Sequence, residues 1–324
     1  MTTTNDISDP ATFAPAFAQL CNISYEFFHW VIPYRVEAMD IGLFSLSGSW
    51  SCVWGPSRNS DDGNLAFVAK FTPDTMGLVP SYVTVIRGTD PFVNPLGISQ
   101  QLKEDLDIGT QVECGFNGSD PSAKIAIGTK NGLDRIIELT HAKHRSDPPT
   151  TLGAFLLKEV GLYQDPAPCV AVTGHSLGGC LSTVVAPALR DIFAPLTSQP
   201  VIMPCTFAGP SAGNAAYAAF YDQTFSPNYR YVNSLDTIPH WWASPGEIAD
   251  IYGDLKEEWY IADFYAHMAE VMKGDPPSHP AVTYTQPSSQ VIRLEGALLM
   301  RDSWAQEAAY QHHIKTYIAL MGNG

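Results

Sequence analysis

The stretch "PCVAVTGHSLGGCLSTVVAPALRDIF", residues 168–193, constrains the fold more than any other part of the chain. It begins as an apolar run of strand length and ends as an apolar run of helix length. Between them stands Gly174-His175-Ser176-Leu177-Gly178. A strand that becomes a helix through so few residues must turn sharply. Glycines on both sides let helix and strand approach closely while the serine takes up strained dihedrals. That is the setting of a nucleophile elbow, with an exposed hydroxyl at a strand end and a helix N-terminus that favours developing negative charge. His175 neighbours the serine on the strand end, points away from it, and is read as structural.

The rest of the chain alternates in the same manner. "FSLSGSWSCVWG" and "NLAFVAKFTP" flank a turn-rich segment and predict a hairpin. "YVTVIRGT", "AKIAIG", "VIMPCTFAG", "YRYVNSLD" and "SQVIRLEG" are strand candidates. Helices are predicted in "FAQLCNISYEFFHWVI", "NGLDRIIELTHAKH", "DPPTTLGAFLLKEVGL" (capped near Thr150 or Thr151), "NAAYAAFYDQTF" and the terminal "AQEAAYQHHIKTYIALMG". Strands alternating with helices imply an α/β fold with a central, mostly parallel sheet flanked by helices. Residues 1–324 are read as one domain. Residues 237–287 break the alternation, and their many aromatics and prolines mark a partly helical insertion.

Composition narrows the function. Of the 324 residues 45% are hydrophobic and 16% charged, as in ordinary globular proteins. The formal net charge of −15 disfavours nucleic acid and anionic membrane surfaces as partners. The cysteines, Cys21, Cys52, Cys114, Cys169, Cys180 and Cys205, show no CxxC spacing, no zinc pattern and no disulfide framework. The first residues carry Asp6 and Asp9, no basic residue, and Pro15 within the first apolar stretch, so no signal peptide is legible. A cytoplasmic location is expected, with a secreted protein that has lost its leader as the alternative.

A serine nucleophile needs a base and an orienting acid, which in α/β hydrolases follow in the order Ser, Asp, His. Asp236 stands after the apolar run "YRYVNSL" and is the acid candidate. The histidines well beyond it are His267, His279, His312 and His313. Those of the terminal helix could reach back over the sheet.

Several stretches together resemble the class 3 lipases. "VTVIRGTD" resembles that family's strand ending in Arg-Gly-Ser/Thr, and "VTGHSLGG" its elbow almost letter for letter. "TFAGPSAGNAAYAAF" and "YRYVNSLDTIPH" resemble the strands that follow, the second holding the family's acid, and "HHIKTY" its His-x-x-x-x-Tyr. The resemblance implies an α/β-hydrolase fold and aligns His312 as the base, with His313 the adjacent alternative. It makes Thr89, with the backbone N–H of Leu177, the oxyanion hole. One departure is Ala126, where many members carry a histidine.

The resemblance further implies a serine carboxylester hydrolase acting on acylglycerol esters, with no metal or organic cofactor. It also implies a lid over residues 90–106, and an ester or lipid substrate met in transient contact with a lipid–water interface. Phospholipase A1 and short-chain esterase are alternatives on the same scaffold. A non-catalytic lipase-like binding protein is another, although it has no physical need to keep Ser176, Asp236, His312 and Thr89 together. Trp241, Trp242, Tyr252, Trp259, Tyr260, Phe264 and Tyr265 in the insertion could line an acyl pocket or simply form the core that holds the insertion down.

Overall fold

The structure is a computed structural model that describes residues 9–58, 64–89, 107–142, 144, 146–253, 255, 258–275, 280–299 and 303–322. Strand β1 (Gly48–Arg58) pairs antiparallel with β2 (Leu65–Pro73), which pairs antiparallel with β3 (Ser81–Ile86). The predicted hairpin is present. Two short antiparallel ribbons follow, β4 (Gln111–Glu113) with β5 (Lys124–Ala126), and β6 (Thr140–His141) with β7 (Thr150–Thr151). The chain then returns to the main sheet through β8 (Cys169–His175), β9 (Val201–Phe207), β10 (Tyr229–Asn233) and β11 (Gln290–Leu294). The seven strands lie in the order β1-β2-β3-β8-β9-β10-β11, parallel from β3 onward.

Helices cover both faces, which is why these strands read as continuous apolar runs. Along β2, Leu65, Phe67, Ala69 and Phe71 join one core while Ala66 and Val68 join the other. The first core is closed by α1 (Ala14–Ser24) and α2 (Ile32–Glu37) with Tyr317 from the chain's end. On the opposite face lie α3 (Ile127–Glu138), α4 (Leu152–Val160), α5 (Leu177–Phe193) and α6 (Ala215–Thr224). All seven residues of β8 are buried, and each fully buried Val or Leu side chain contributes about 2 kcal/mol. The central strand is thus held rigidly, and its last residue precedes Ser176.

The structure redraws three predicted elements, the first being the opening helix, which ends at Ser24 and is followed by the separate α2 instead of running on to Ile32. Helix α3 begins at Ile127, four residues before its predicted start, because β5 is cut short. Thr151 caps α4 through its hydroxyl, which accepts from the Ala154 N–H, so that prediction stands. The terminal helix is two helices, α8 (Trp304–His312) and α9 (Ile314–Gly322), after α7 (Trp259–Lys273) in the insertion; His313 has extended dihedrals (φ −64°, ψ 134°). Within the insertion, Trp241, Trp242, Tyr252 and Phe264 are buried in the second core with Trp304, whereas Trp259 and Tyr260 are exposed. The expected lid, residues 90–106, lies outside the described residues.

Helix α5, which carries the elbow, contains Pro187 in its interior. Proline has no N–H, so the carbonyl four residues earlier, that of Thr183, loses its helical donor. The Tyr217 hydroxyl on α6 donates to that oxygen at 2.7 Å in a buried setting. A side chain from the next helix thus replaces the missing bond and ties α6 to α5. Replacing Tyr217 with Phe is expected to cost about 1–3 kcal/mol in urea unfolding. Pro187→Ala in the Tyr217→Phe background should recover part of that loss, because an alanine in place of the proline would restore a backbone donor. Additive effects of the two changes would contradict this account.

Candidate active site

Ser176 adopts φ +62° and ψ −132°, a strained conformation for a residue with a side chain. The turn is pinned at both of its backbone groups. The Ser176 N–H donates to the Phe207 carbonyl at 3.0 Å, and the Ser176 carbonyl accepts from Gly179 and Cys180 at 2.9 and 3.2 Å. Close packing explains the glycine at 178, where any Cβ would collide with the Ile86 carbonyl oxygen at the end of β3. The same constraint holds at Gly88, where a side chain would meet the His175 carbonyl, the Tyr25 hydroxyl and, at 3.0 Å, Ser176 Cβ. Half-buried Thr89 follows Gly88 directly, so the end of β3 runs beside the serine. Leu177 is the first residue of α5, and its N–H has no partner within a helix that starts there.

The structure brings the three separated site candidates into one hydrogen-bonded relay. His312 Nε2 lies 2.8 Å from Ser176 Oγ. Its Nδ1 lies 2.9 and 3.1 Å from the two carboxylate oxygens of Asp236. A carboxylate only accepts, so Nδ1 carries the proton and Nε2 is left as acceptor for the serine hydroxyl. Asp236 is 0% exposed. Its Oδ1 also accepts from the Ile238 N–H at 2.9 Å and its Oδ2 from the Tyr317 hydroxyl at 2.7 Å. His313, the adjacent alternative, turns its Nδ1 to the Lys315 N–H and makes no such relay. His267, on α7, takes no part in the relay, and His279 lies outside the described residues.

His175 sits beneath this relay. Its Nε2 is 2.7 Å from the His312 carbonyl oxygen and its ring centroid 4.7 Å from that of His312. The carbonyl can only accept, so Nε2 carries hydrogen, and Nδ1 accepts from the Tyr25 hydroxyl at 2.9 Å. The bond fills the vacant carbonyl of the last residue of α8. His175 therefore holds the backbone that carries His312. Its structural role was legible in the sequence; its partners, 137 and 150 residues away, were not. Tyr317 was present in the quoted "HHIKTY", and its position five residues after His312 was the available signal. Among the described residues no group of three or more His, Cys, Asp or Glu side chains is placed to hold a metal ion.

A mostly parallel sheet between two helical layers, with a serine on a strained strand-to-helix turn, is the α/β-hydrolase fold. Residues 154–245 match the family model described as lipase (class 3), a stretch that contains Ser176 and Asp236 and ends before His312. A Caenorhabditis elegans lipase is 39% identical over 82 residues, 25% of this chain and 22% of that protein. An Arabidopsis thaliana chloroplastic phospholipase A1 is 24% identical over 285 residues, 84% of this chain and 51% of that protein. The crystal structure of M37 lipase superposes with a TM-score of 0.77 at 26% identity, covering 95% of this chain and 92% of that one. These matches are consistent with the class 3 lipase resemblance that the motifs carry. It spans about a fifth to a half of the length of these two curated relatives.

Burial, and then the neighbouring His312, push the His175 pKa well below its ordinary value of 6.5. In the unfolded chain His175 binds a proton as pH falls through about 6.5, while the folded state resists it. The stabilising contribution is therefore complete above that pH and is lost progressively below it. Urea unfolding at pH 8 and pH 5 should show a larger acid loss for the parent than for His175→Gln. Equal losses would remove His175 as the origin of that dependence.

Proposed function

We propose that this chain is a serine carboxylester hydrolase of the lipase type, acting on acylglycerol esters. The observation that carries the proposal is the relay of Ser176, His312 and buried Asp236 on a strained elbow. In the proposed reaction, Ser176 Oγ attacks the ester carbonyl carbon as its proton passes to His312 Nε2. Asp236 keeps the imidazole in the tautomer that can accept and stabilises the imidazolium that forms. The Leu177 N–H, with the N–H and hydroxyl of Thr89, receives the oxyanion, each such donor contributing about 3 kcal/mol in comparable sites. The tetrahedral adduct collapses, and the alcohol leaves with the proton from His312. Water then attacks the acyl-enzyme with His312 again as base, releasing the acid and restoring Ser176. A binding protein would need neither the strained serine nor the buried carboxylate aimed at its partner.

The similarity to an Arabidopsis phospholipase A1 favours a second reading on the same machinery, in which the ester belongs to a phospholipid. Both substrate classes would be met at a lipid–water interface.

Hydrolysis of nitrophenyl esters of rising acyl length tests the reaction. Turnover should increase toward long chains and fall about a thousandfold or more in Ser176→Ala. Serine-independent turnover would overturn the proposal, and turnover confined to short chains would replace lipase by esterase. Release of fatty acid from the sn-1 position of a phospholipid, in preference to acylglycerols, would select the second reading. In a separate measurement, Thr89→Val should lower kcat about a hundredfold with little change in KM, because the oxyanion forms after binding. A change confined to KM would remove the Thr89 hydroxyl from the oxyanion hole.

A further inference from the structure

A group of aromatic side chains stands on the surface between α1 and α2. The chain there reads Tyr25-Glu26-Phe27-Phe28-His29-Trp30, and Tyr34 follows on α2. Phe27, Phe28, Trp30 and Tyr34 are 78%, 57%, 68% and 67% exposed. The Phe27 and Phe28 rings lie 5.0 Å apart and those of Phe28 and Trp30 6.0 Å apart, so these side chains cluster with each other outside the core. At roughly 200 Å² per aromatic side chain, the four expose roughly 500 Å² together, the size of a monomer's largest apolar patch, which is often a functional one.

The cluster is anchored to the active site at two points. Tyr25 reaches the His175 ring at 2.9 Å, and His175 holds the His312 carbonyl. His29 Nε2 lies 2.9 Å from Arg87 Nη1, two residues before Thr89. Beneath them α2 turns Ile32 and Val36 into the core. The exposed rings are therefore held on a fixed support that adjoins both the serine turn and the end of β3.

We propose that Phe27, Phe28, Trp30 and Tyr34 form the surface by which this protein docks on an electroneutral lipid–water interface. The amphipathic rings of Trp and Tyr, together with the apolar ring of Phe, settle at such boundaries. Charge selects the kind of lipid. Residues 25–40 contain Glu26, Glu37 and Asp40 against Arg35 and no lysine, and Arg35 is itself paired with Glu26 at 3.5 Å. With a net charge of −15 over the chain, no basic cluster there would draw the protein to anionic headgroups. Continuity with the turn that carries Ser176 favours a surface supplying esters over a protein partner. The biological purpose rests on the ester-hydrolase proposal; the docking itself is tested independently.

Co-sedimentation of the full chain with phosphatidylcholine vesicles provides the test, comparing the parent with a Phe27→Ser/Phe28→Ser/Trp30→Ser variant. The parent should bind, and the variant's partition coefficient should fall about tenfold or more. Thermal unfolding and turnover of a soluble nitrophenyl butyrate should stay unchanged, since these side chains touch neither the core nor the relay. Adding phosphatidylserine should weaken binding by the parent. Equal binding by parent and variant, no binding by the parent, or binding that requires anionic lipid would overturn the proposal. So would a parent dimer that the variant dissociates, which would assign the surface to a second copy of the chain. Absence of soluble-ester turnover in both proteins, with vesicle binding as expected, would overturn the hydrolase proposal and leave the docking surface standing.

Discussion

A carboxylate with no exposed surface requires compensation, and three parts of the chain converge to supply donors to Asp236. It follows the end of β10, and the turn after it supplies the Ile238 N–H. Helix α8 brings the His312 imidazole and α9 the Tyr317 hydroxyl. Removing any one would leave a buried negative charge short of a donor. The same set of bonds that makes the burial tolerable also orients the imidazole toward Ser176. Stability and function therefore rest on the same atoms, and the geometry of the site is inherited from the need to satisfy one charge.

That requirement accounts for the broken terminal helix. Residues five apart on a continuous α-helix differ by about 140° in direction, so His312 and Tyr317 could not both face one carboxylate. The extended residue His313 separates α8 from α9 and removes the conflict. Breaking a helix there frees carbonyl groups at its end, and those of Tyr310, Gln311 and His312 find side-chain donors. Asn233 Nδ2 reaches the Gln311 carbonyl at 2.9 Å, His175 Nε2 that of His312, and the Thr316 hydroxyl that of Tyr310 at 2.6 Å. Asn233 is itself the last residue of β10, so the strand that precedes Asp236 also caps the helix that carries His312.

The local signals were legible wherever one stretch of sequence carried them. The apolar runs of β2, β3, β8 and β9 appear as strands, Thr151 as a cap, and the glycines around Ser176 as a tight turn because a single segment imposes each. The helix break was not legible, since His-His-Ile contains neither Gly nor Pro and its cause is a carboxylate 76 residues earlier in sequence. The aromatics of the insertion also could not be sorted in advance. Trp241 and Phe264 pack with rings 5.1 Å apart in the core, whereas Trp259 and Tyr260 at the start of α7 face outward. Composition is the same in both cases, and only the tertiary partners differ.

The opening segment joins these observations. Helix α1 packs against the sheet face from which His175 projects, and the residue that ends it, Tyr25, occupies the one acceptor that His175 has left after binding His312. Neutral imidazole has one donor and one acceptor nitrogen, so this pair of bonds uses it completely. A protonated His175 would present a second donor to Tyr25, and the bond would survive only if the hydroxyl turned to accept. The fully buried, neutral His175 thus fixes both the relay above it and the start of the aromatic segment beside it. Because the histidine is held from two sides, a displacement of the surface segment would reach His312 through two hydrogen bonds and no mobile linker. The aromatic surface and the relay are in this sense one unit, built from residues 25–34 and 312–317 on one face of the sheet at the end of β8.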